Sequence, residues 1–262
     1  MSQMHKKSNT ALPLAGLFLA TGVLLLVYAM FMELQVPAFI GLGLTFWGAV
    51  LALARGGKYV ESSLLDSSAH ASYVTIDRMI NDLKANSRGY YIPAYPKDVF
   101  LPDYLKNLRD PVVYVSESFD GKPPIDELAA GKFISSQNRG FFISSPGSGI
   151  ISEIEKQLSM DMSKVSLSEL CELLPKCLTE NLNVARNAEV KLLPDGATFK
   201  AVGILYESLY NFETRPKSVN MLGCPVVSAV ACALAKSSGK AVIIKEQLPL
   251  SGNSVSVTFG FV

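Results

Sequence analysis

Two long apolar segments open the chain. Residues 11–32 carry no charged side chain, and after a short polar turn residues 37–54 are again uncharged. A helix of the first length is about 33 Å long, which matches the roughly 30 Å hydrocarbon core of a bilayer, and the second is within spanning range. Pro37 suits the first turn of a helix, where a missing N–H removes no hydrogen bond. The pattern predicts a transmembrane helical hairpin within residues 1–57.

A cleaved signal peptide is the alternative interpretation of the first segment. A second span follows directly, without a clear small-residue cleavage site between the two, which favours the hairpin. The connecting turn has only Glu33 as a charge, whereas the outer ends carry four basic residues: Lys6, Lys7, Arg55 and Lys58. Because short positively charged segments stay on the cytoplasmic side, we expect a cell-membrane protein with a cytoplasmic N-terminus and a cytoplasmic C-terminal domain.

Small residues recur at a spacing of four in both spans. They are Gly16 and Ala20 in the first span, and Gly48 and Ala52 in the second. This spacing would permit close contact between helices in lipid.

The pattern changes after residue 57. Residues 58–262 hold nearly equal numbers of acidic and basic side chains, as is typical of a soluble domain. Apolar positions at three- and four-residue spacing predict that a helix leaves the membrane here. These positions are Leu65, Ala69, Tyr73, Ile76, Ile80 and Leu83. His70 lies beside this stripe and is interpreted as structural or solvated, with a pH-sensing or catalytic role as the alternative.

Short extended stretches follow at residues 89–96, 99–102 and 111–118. Their prolines favour edge strands or a loop-rich surface over the centre of a sheet. The turn-rich residues 119–132 are the best candidate for a mobile loop. Next, residues 140–158 predict a strand, a Gly/Ser loop and a helix.

The Gly/Ser loop SPGSG could bind an anion on its backbone N–H groups. However, it lacks both the lysine of a P-loop and the glycine spacing of a dinucleotide-binding loop. A plain strand-to-helix turn with Ser148 as the helix cap is therefore favoured. Ser166 and Glu169 are predicted to form a capping box at the start of a helix. Pro175 should kink this helix, and Cys177 is interpreted as a small hydrophobic residue of the core. A hairpin follows at residues 188–212, with a long second arm that could edge a sheet.

The end of the chain predicts a helix and a β-hairpin. Residues 229–235 are small and apolar, Gly239 is placed to end their helix, and the last strand alternates apolar and polar side chains. The fold class is therefore α+β: a transmembrane helical hairpin (residues 1–57), then a cytoplasmic mixed domain of helices and strands (residues 58–262) ending in a helix and a β-hairpin.

Composition and charge narrow the functional classes. Hydrophobic residues make up 49% of the chain and charged residues 18%, with a formal net charge of +1. The balance of charge and the absence of a basic stripe argue against nucleic acid as a partner. The expected partners are the lipid bilayer and either a protein or a small hydrophobic ligand; the oligomeric state stays open.

Cys224 is the only cysteine with an argument for reactivity. Pro225 at the first helical position would place the Cys224 sulfur near the positive end of a helix, which lowers a thiol pKa. Neither His5 nor His70 is close in sequence to serve as a base, and the four cysteines lack the spacing of a zinc site. We therefore expect no metal site, no cofactor and no group of catalytic residues, and Cys224 remains the one candidate for a functional thiol.

Two stretches, GFFISSPGSGIISEIEKQL and LGCPVVSAVACALAKSSGKAVII, resemble an uncharacterised group of archaeal membrane proteins with a two-helix anchor and a domain of this layout. The resemblance implies no established activity. A dithiol or metal role would need a second thiol at position 227, which is Val227 here. The last 40 residues also resemble the end of the vinyl reductase domain, a small-molecule-binding regulatory fold. Its metal-binding cysteines have no counterpart at 255–261.

Three functional hypotheses follow. The first is a membrane-anchored, non-catalytic domain that binds a ligand or partner as a sensor or regulator. The alternative is a structural scaffold or assembly subunit of a membrane complex, whose Gly-rich spans pack laterally. The third is a thiol-dependent enzyme that uses Cys224. A buried apolar cavity with converging polar groups would favour the first, and a large exposed apolar patch the second.

Overall fold

The structure is a computed structural model. It describes residues 11–53, 61–85, 88–96, 98–117, 123–136, 139–211, 215–250 and 253–262. The chain forms two compact units, Met1–Val60 and Glu61–Val262. The predicted boundary after residue 57 and the four basic residues that flank the hairpin lie outside the described residues.

The first unit contains two apolar helices, α1 (Ala11–Met32) and α2 (Gln35–Leu53). Both are long and apolar enough to span a membrane. Large side chains such as Phe31 and Phe39 point away from the partner helix and are 82% and 75% exposed. The prediction of two apolar N-terminal helices is confirmed, and it is consistent with membrane association.

Small residues bring α1 and α2 into close contact. Ala15, Gly22 and Ala29 are buried on α1, opposite Gly41 and Gly48 on α2. A Cβ atom at Gly22 would lie 2.6 Å from the Thr45 nitrogen, and one at Gly48 would lie 2.8 Å from the Leu19 nitrogen. Such contacts exclude any larger residue at these two positions. Of the four residues predicted from the four-residue spacing, Gly48 is buried in this contact and Ala52 is half-buried, whereas Gly16 and Ala20 face outwards.

The second unit is built on one antiparallel sheet of eight strands, in the order β3-β4-β2-β1-β7-β8-β6-β5. The strands are β1 (Gly89–Ile92), β2 (Val112–Val115), β3 (Ile134–Ser135), β4 (Gly140–Ser144), β5 (Asn187–Leu193), β6 (Gly196–Val202), β7 (Val242–Leu250) and β8 (Ser254–Phe261). The helices are α3 (Ser62–Asp82), α4 (Ile125–Ala129), α5 (Ser148–Leu158), α6 (Leu167–Lys176), α7 (Lys217–Leu222) and α8 (Pro225–Ser238). The predicted α+β class is confirmed, as is the final helix and hairpin.

The main core lies between one face of the sheet and the helix α8. Every residue of α8 from Pro225 to Lys236 is buried, as its small apolar sequence predicts. Val255, Val257 and Phe259 of β8 face this core in the predicted alternation. Together α7 and α8 (Lys217–Ser238) form a third stretch that is apolar enough to span a membrane, but 89% of its 18-residue apolar window is buried within the domain.

Strands β1 and β2 are internal strands of the sheet, so the prediction of edge strands or loops is wrong for them. Residues 99–102 form no strand, and Val99 and Phe100 are exposed, as that prediction expects of a loop-rich surface. All eight residues of the two strands are buried, because the short helical segment Asp103–Leu108 and α4 cover their second face. Pro93 follows β1 and Pro111 precedes β2, so the prolines end the strands without occupying ladder positions.

Three other local predictions need correction. The second arm of the 188–212 hairpin, β6, is internal, and β5 forms the edge. Gly147 rather than Ser148 is the N-cap of α5, because the loop packs so closely on α8 that a Cβ at Gly147 would collide with the Ala229 backbone. In the predicted mobile loop, residues 119–122 lie outside the described residues and Ile125–Ala129 form α4.

Several predicted features are present as expected. Ser166 and Glu169 form the capping box of α6, and Gly239 ends α8 in the left-handed conformation with φ 66°. Cys177 is buried in the core. Pro175 lies inside α6, and the helix continues after it as a π-helical turn, Cys177–Asn181.

Candidate functional site

Cys224 lies at the N-cap of α8, directly before Pro225 at the first helical position, where the sequence placed it. Gly223 precedes it with φ 65°, a conformation that glycine adopts without strain and that turns the chain sharply between α7 and α8. The Cys224 side chain is fully buried. We refer to residues 222–224 as the α7–α8 corner.

Three tyrosine hydroxyls bind the backbone of this corner. Tyr73 donates a hydrogen bond to the Gly223 carbonyl at 2.6 Å, and Tyr91 donates one to the Leu222 carbonyl. The Cys224 N–H donates to the Tyr210 hydroxyl oxygen at 3.2 Å. Burial raises the pKa of each of these tyrosines well above its ordinary value, so all three hydroxyls stay protonated. The corner is therefore held in one conformation.

The environment of Cys224 does not activate its thiol. Burial raises the pKa of Cys224, and this effect outweighs the hydrogen bonds from Tyr210 and from the first N–H groups of α8, which lower it. The helix N-terminus is therefore too weak an influence to produce a thiolate here, contrary to the argument for reactivity. The geometry is that of a structural residue at a tightly bound corner.

Helix α3 is tied to the same corner through one of its faces. The Asp77 carboxylate accepts hydrogen bonds from the Lys217 N–H at 2.9 Å and the Ser218 N–H at 2.7 Å, so it caps α7 from another helix. The Ser218 hydroxyl returns a hydrogen bond to the Tyr73 carbonyl at 3.1 Å. With the Tyr73 hydroxyl on Gly223, both ends of α7 are bound to α3.

A buried polar network joins α8 to the Gly/Ser loop. The hydroxyl oxygens of Ser145 and Ser228 are 2.7 Å apart, and the Gly147 N–H donates to Ser228 at 3.0 Å. The Cys232 thiol donates to Ser145 at 2.9 Å, and burial raises the Cys232 pKa to about 12. Because the Gly147 N–H already has a protein acceptor, this part of the loop is built into the core.

A buried ion pair ties the other end of α8 to α5. The Lys236 ammonium contacts the Glu155 carboxylate and lies 3.1 Å from the Asp161 carboxylate. The Lys236 side chain is 4% exposed and that of Glu155 is 7% exposed. The two sequence stretches that carry the archaeal resemblance thus meet along α8, and we call these contacts the α8 seam: Ser145, Gly147, Glu155, Asp161, Ser228, Cys232 and Lys236.

A cleft with a volume of about 500 Å³ opens beside the first turns of α3. It is lined by Asp66, Ile204, Glu207, Ser208, Tyr210, Asn211, Pro249, Leu250, Asn253 and Ser254. We call it the α3 cleft. A neighbouring cleft of about 440 Å³ shares Asp66 and Ser208 with it and includes His70.

Asp66 differs from the polar residues of the α8 seam. Its Oδ1 atom is shielded from solvent and has no hydrogen-bond partner among the described residues. Tyr210 belongs to both places, since it is a lining residue of the α3 cleft and its hydroxyl accepts a hydrogen bond from the Cys224 N–H. The α3 cleft therefore adjoins the α7–α8 corner through one shared side chain.

The sequence singled out Cys224 and His70 and placed Tyr73 on a buried helix face, but it gave no sign of the roles of Asp66, Asp77 and Tyr210 or of the Tyr73 hydroxyl. Asp66, His70, Tyr73 and Asp77 are spaced by three or four residues, which places them on one face of α3. That spacing was the one signal that could have grouped them. Among the described residues, no group of three or more His, Cys, Asp or Glu side chains could hold a metal ion.

The structure thus defines a class: two apolar, span-length helices followed by an α+β domain with an antiparallel sheet. The chain belongs to the family described as a domain of unknown function (DUF7982), whose model matches residues 2–261. The match covers both units. No curated protein and no solved structure is detectably similar to the chain.

Proposed function

We propose that the chain is a membrane-anchored regulatory or sensor protein whose α+β domain faces the cytoplasm and binds a ligand in the α3 cleft. One observation carries this proposal: α3 begins nine residues after α2 ends and presents a single face to the cleft and to the α7–α8 corner. A change at the cleft can therefore reach the core through the helix that follows the two apolar helices in the sequence.

The chemistry of the domain supports binding over catalysis. The candidate nucleophile Cys224 is buried with a raised pKa, and its neighbours are tyrosines held on backbone groups. The α3 cleft is instead open and combines carboxylates and amides with the apolar side chains Ile204, Pro249 and Leu250. Such a mixture of apolar wall and a few polar groups is typical of ligand sites.

The cytoplasmic orientation rests on the four basic residues outside the two spans. The resemblance of the last 40 residues to the vinyl reductase domain, whose members bind small molecules, agrees with a regulatory binding role. Tyr210 offers a route for regulation, because a ligand that contacts its ring acts on the same side chain that holds the Cys224 N–H.

A scaffold role is the second candidate, and an exposed apolar row that shares Leu250 with the α3 cleft favours it. Leu248, Leu250 and Val202 are 49%, 51% and 40% exposed on the open face of the sheet. Leu250 and Val202 both pair with Ser254, so they lie in one row across three strands. Grouped apolar side chains of this kind are found at protein-binding surfaces.

Purification of the full chain from native membranes, followed by mass spectrometry of the small molecules that accompany it, tests the proposal. Ser208→Trp fills the α3 cleft, and Ser168→Trp places the same bulk on an exposed position of α6 as the matched control. We expect a small molecule to accompany the wild type and Ser168→Trp but to be lost from Ser208→Trp. Equal recovery from all three proteins would contradict a ligand site in this cleft.

A further inference from the structure

The two edges of the eight-stranded sheet differ in how much backbone they expose to another chain. At one edge, β3 is only two residues long, which leaves little backbone for a further strand to pair with. At the other edge, β5 has seven residues, and all of them pair with β6 in a regular register without a bulge. Because a long and regular edge strand is a template for another strand, β5 is the open edge of the sheet.

The outer side of β5 has no hydrogen-bond partner in the described part of the domain. Alternate residues of an edge strand direct their N–H and C=O groups away from the neighbouring strand. Apart from the ladder to β6, no hydrogen bond joins the backbone of residues 187–193 to another described residue. Val190 is buried in the main core, whereas the side chains on either side of it are exposed. The strand is therefore anchored on its core face and unpaired along its outer side.

The charges on β5 make this edge complementary to itself. Glu189 and Lys191 are two positions apart, so they lie on the same face of the sheet, and their side chains are 52% and 67% exposed. A second copy of β5 can lie antiparallel to the first, with Val190 opposite Val190. In that register each Glu189 lies opposite Lys191 of the other strand. Opposite charges at directly facing positions stabilise a strand pair.

The same pattern disfavours the neighbouring registers. A pair centred on Glu189 would place two glutamates opposite each other, and a pair centred on Lys191 would place two lysines opposite each other. Like charges at facing positions are destabilising. A slip of one residue would join the core face of one strand to the outer face of the other. The register centred on Val190 also places Ala188 opposite Leu192, which is 41% exposed, so apolar side chains meet on the second face.

We infer that β5 pairs with β5 of a second copy of this chain, in an antiparallel contact centred on Val190 that joins the two sheets into one. The same surface is used on both copies, so the contact closes as a two-fold symmetric dimer and does not continue into a filament. The inference concerns a surface outside the α3 cleft and does not depend on the ligand proposed there.

The experiment measures the self-association of the full chain in detergent micelles. Multi-angle light scattering gives the mass of the protein part of the particle, for which one copy contributes 28.3 kDa. We expect the wild type to reach twice this mass as its concentration rises. Glu189→Lys and Lys191→Glu should each raise the dissociation constant of the dimer about tenfold or more, because each variant places like charges opposite each other at both charged positions. Glu172→Lys, the same change at an exposed position of α6, is the matched control and should have no effect.

Two combinations test the register itself. An equimolar mixture of Glu189→Lys and Lys191→Glu should recover the dissociation constant of the wild type, because the lysines of one variant then face the glutamates of the other. The double variant Glu189→Lys/Lys191→Glu should also recover it, which shows that the single variants do not fail through misfolding. Hydrogen exchange should show β5 amides that become protected as the concentration of the wild type rises, while exchange of the α8 amides stays unchanged.

Four results would overturn the inference. The first is a wild type that remains a single copy at its highest soluble concentration. The second is a dimer that neither single charge variant weakens, which would place the contact elsewhere on the chain. The third is a mixture of the two variants that does not recover the dimer. The fourth is protection of β5 that appears only when a different protein co-purifies, which would assign this edge to another partner.

Discussion

The α8 seam and the α3 cleft differ in whether a shielded polar atom has a hydrogen-bond partner. In the seam, the hydroxyls of Ser145 and Ser228 and the ammonium of Lys236 have protein partners and are almost fully buried. At the cleft, which has a volume of about 500 Å³, the Asp66 Oδ1 atom is shielded from solvent without a partner among the described residues.

The paired groups of the seam stabilise the fold, whereas the shielded Asp66 Oδ1 atom has no partner through which it could do so. A buried polar group that is fully hydrogen-bonded specifies the packing of its neighbours, whereas an unpaired one lowers the stability of the empty protein. Cys224 illustrates the first case, because its surroundings hold the backbone of the α7–α8 corner and keep the thiol protonated. Asp66 illustrates the second.

The largest effect is expected from breaking the seam at its ion pair. Lys236→Met leaves Glu155 and Asp161 buried without their cation, which should lower the free energy of unfolding by about 3–5 kcal/mol. Urea unfolding of the full chain in detergent, followed by circular dichroism, measures this. Lys240→Met, an exposed lysine just beyond α8, is the control and should change little. A loss below 1 kcal/mol would show that the pair is not as buried as described.

Alkaline pH should destabilise the domain through Cys232, which belongs to the α8 seam. The Cys232 pKa is about 12 in the folded state against an ordinary value of 9.0, because the thiol is buried. The unfolded chain therefore releases this proton first, and the stabilisation is complete below pH 9 and is lost as the pH rises towards 12. The slope is about 1.4 kcal/mol per pH unit for this one thiol.

The buried tyrosines add to this loss in the same direction, since burial raises their pKa values as well. Urea unfolding at several pH values between 8 and 11 checks the prediction, with Cys232→Ala as the comparison. The variant should show a shallower decline above pH 9. An identical decline in both proteins would contradict the assignment of the effect to Cys232.

A smaller effect is expected where α3 caps α7. Asp77→Ala removes the acceptor of the Lys217 and Ser218 N–H groups, which should lower the free energy of unfolding by about 1–2 kcal/mol. Asp82→Ala, an exposed carboxylate at the end of the same helix, is the matched control. Hydrogen exchange should also show faster exchange at the start of α7 in Asp77→Ala alone. If both variants behave alike, α3 does not hold α7 through Asp77.

The smallest effect is expected at Cys224 itself. At neutral pH iodoacetamide should label Cys224 more slowly than free cysteine, because the thiol is buried with a raised pKa. The partly exposed Cys171 provides an internal comparison and should be labelled first. Labelling of Cys224 as fast as free cysteine would restore the thiol-enzyme hypothesis.

Local signals explain which parts of the fold the sequence could predict. The uncharged spans, the capping box at Ser166 and the alternation of the last strand are each visible within one continuous stretch of sequence. The central position of β1 and β2 could not be predicted, because two other segments supply the cover for their second face. The flanking prolines were misleading, because a proline at the end of a strand is compatible with an internal strand as well as with an edge strand.

The sites depend even more on contacts between distant residues. The Tyr73 hydroxyl reaches Gly223 across 150 positions, and Tyr91 reaches Leu222 across 131. Lys236, near the C-terminal end of a helix, is typical of a solvated cation by sequence, yet it is buried because α5 brings Glu155 to it. The α3 cleft brings Asp66, Tyr210 and Asn253 together from three separate segments. The sequence therefore could not predict this cleft, although it drew attention to His70 of the neighbouring cleft.

The most direct measurement of the contrast between seam and cleft is the free energy of unfolding of Asp66→Asn, by urea unfolding of the full chain in detergent. Because Asn has nearly the same shape and removes an unpaired charge, the variant should be at least as stable as the wild type. A loss of stability as large as that of Asp77→Ala would show that Asp66 has a structural partner, and it would contradict the account of the α3 cleft as a ligand site.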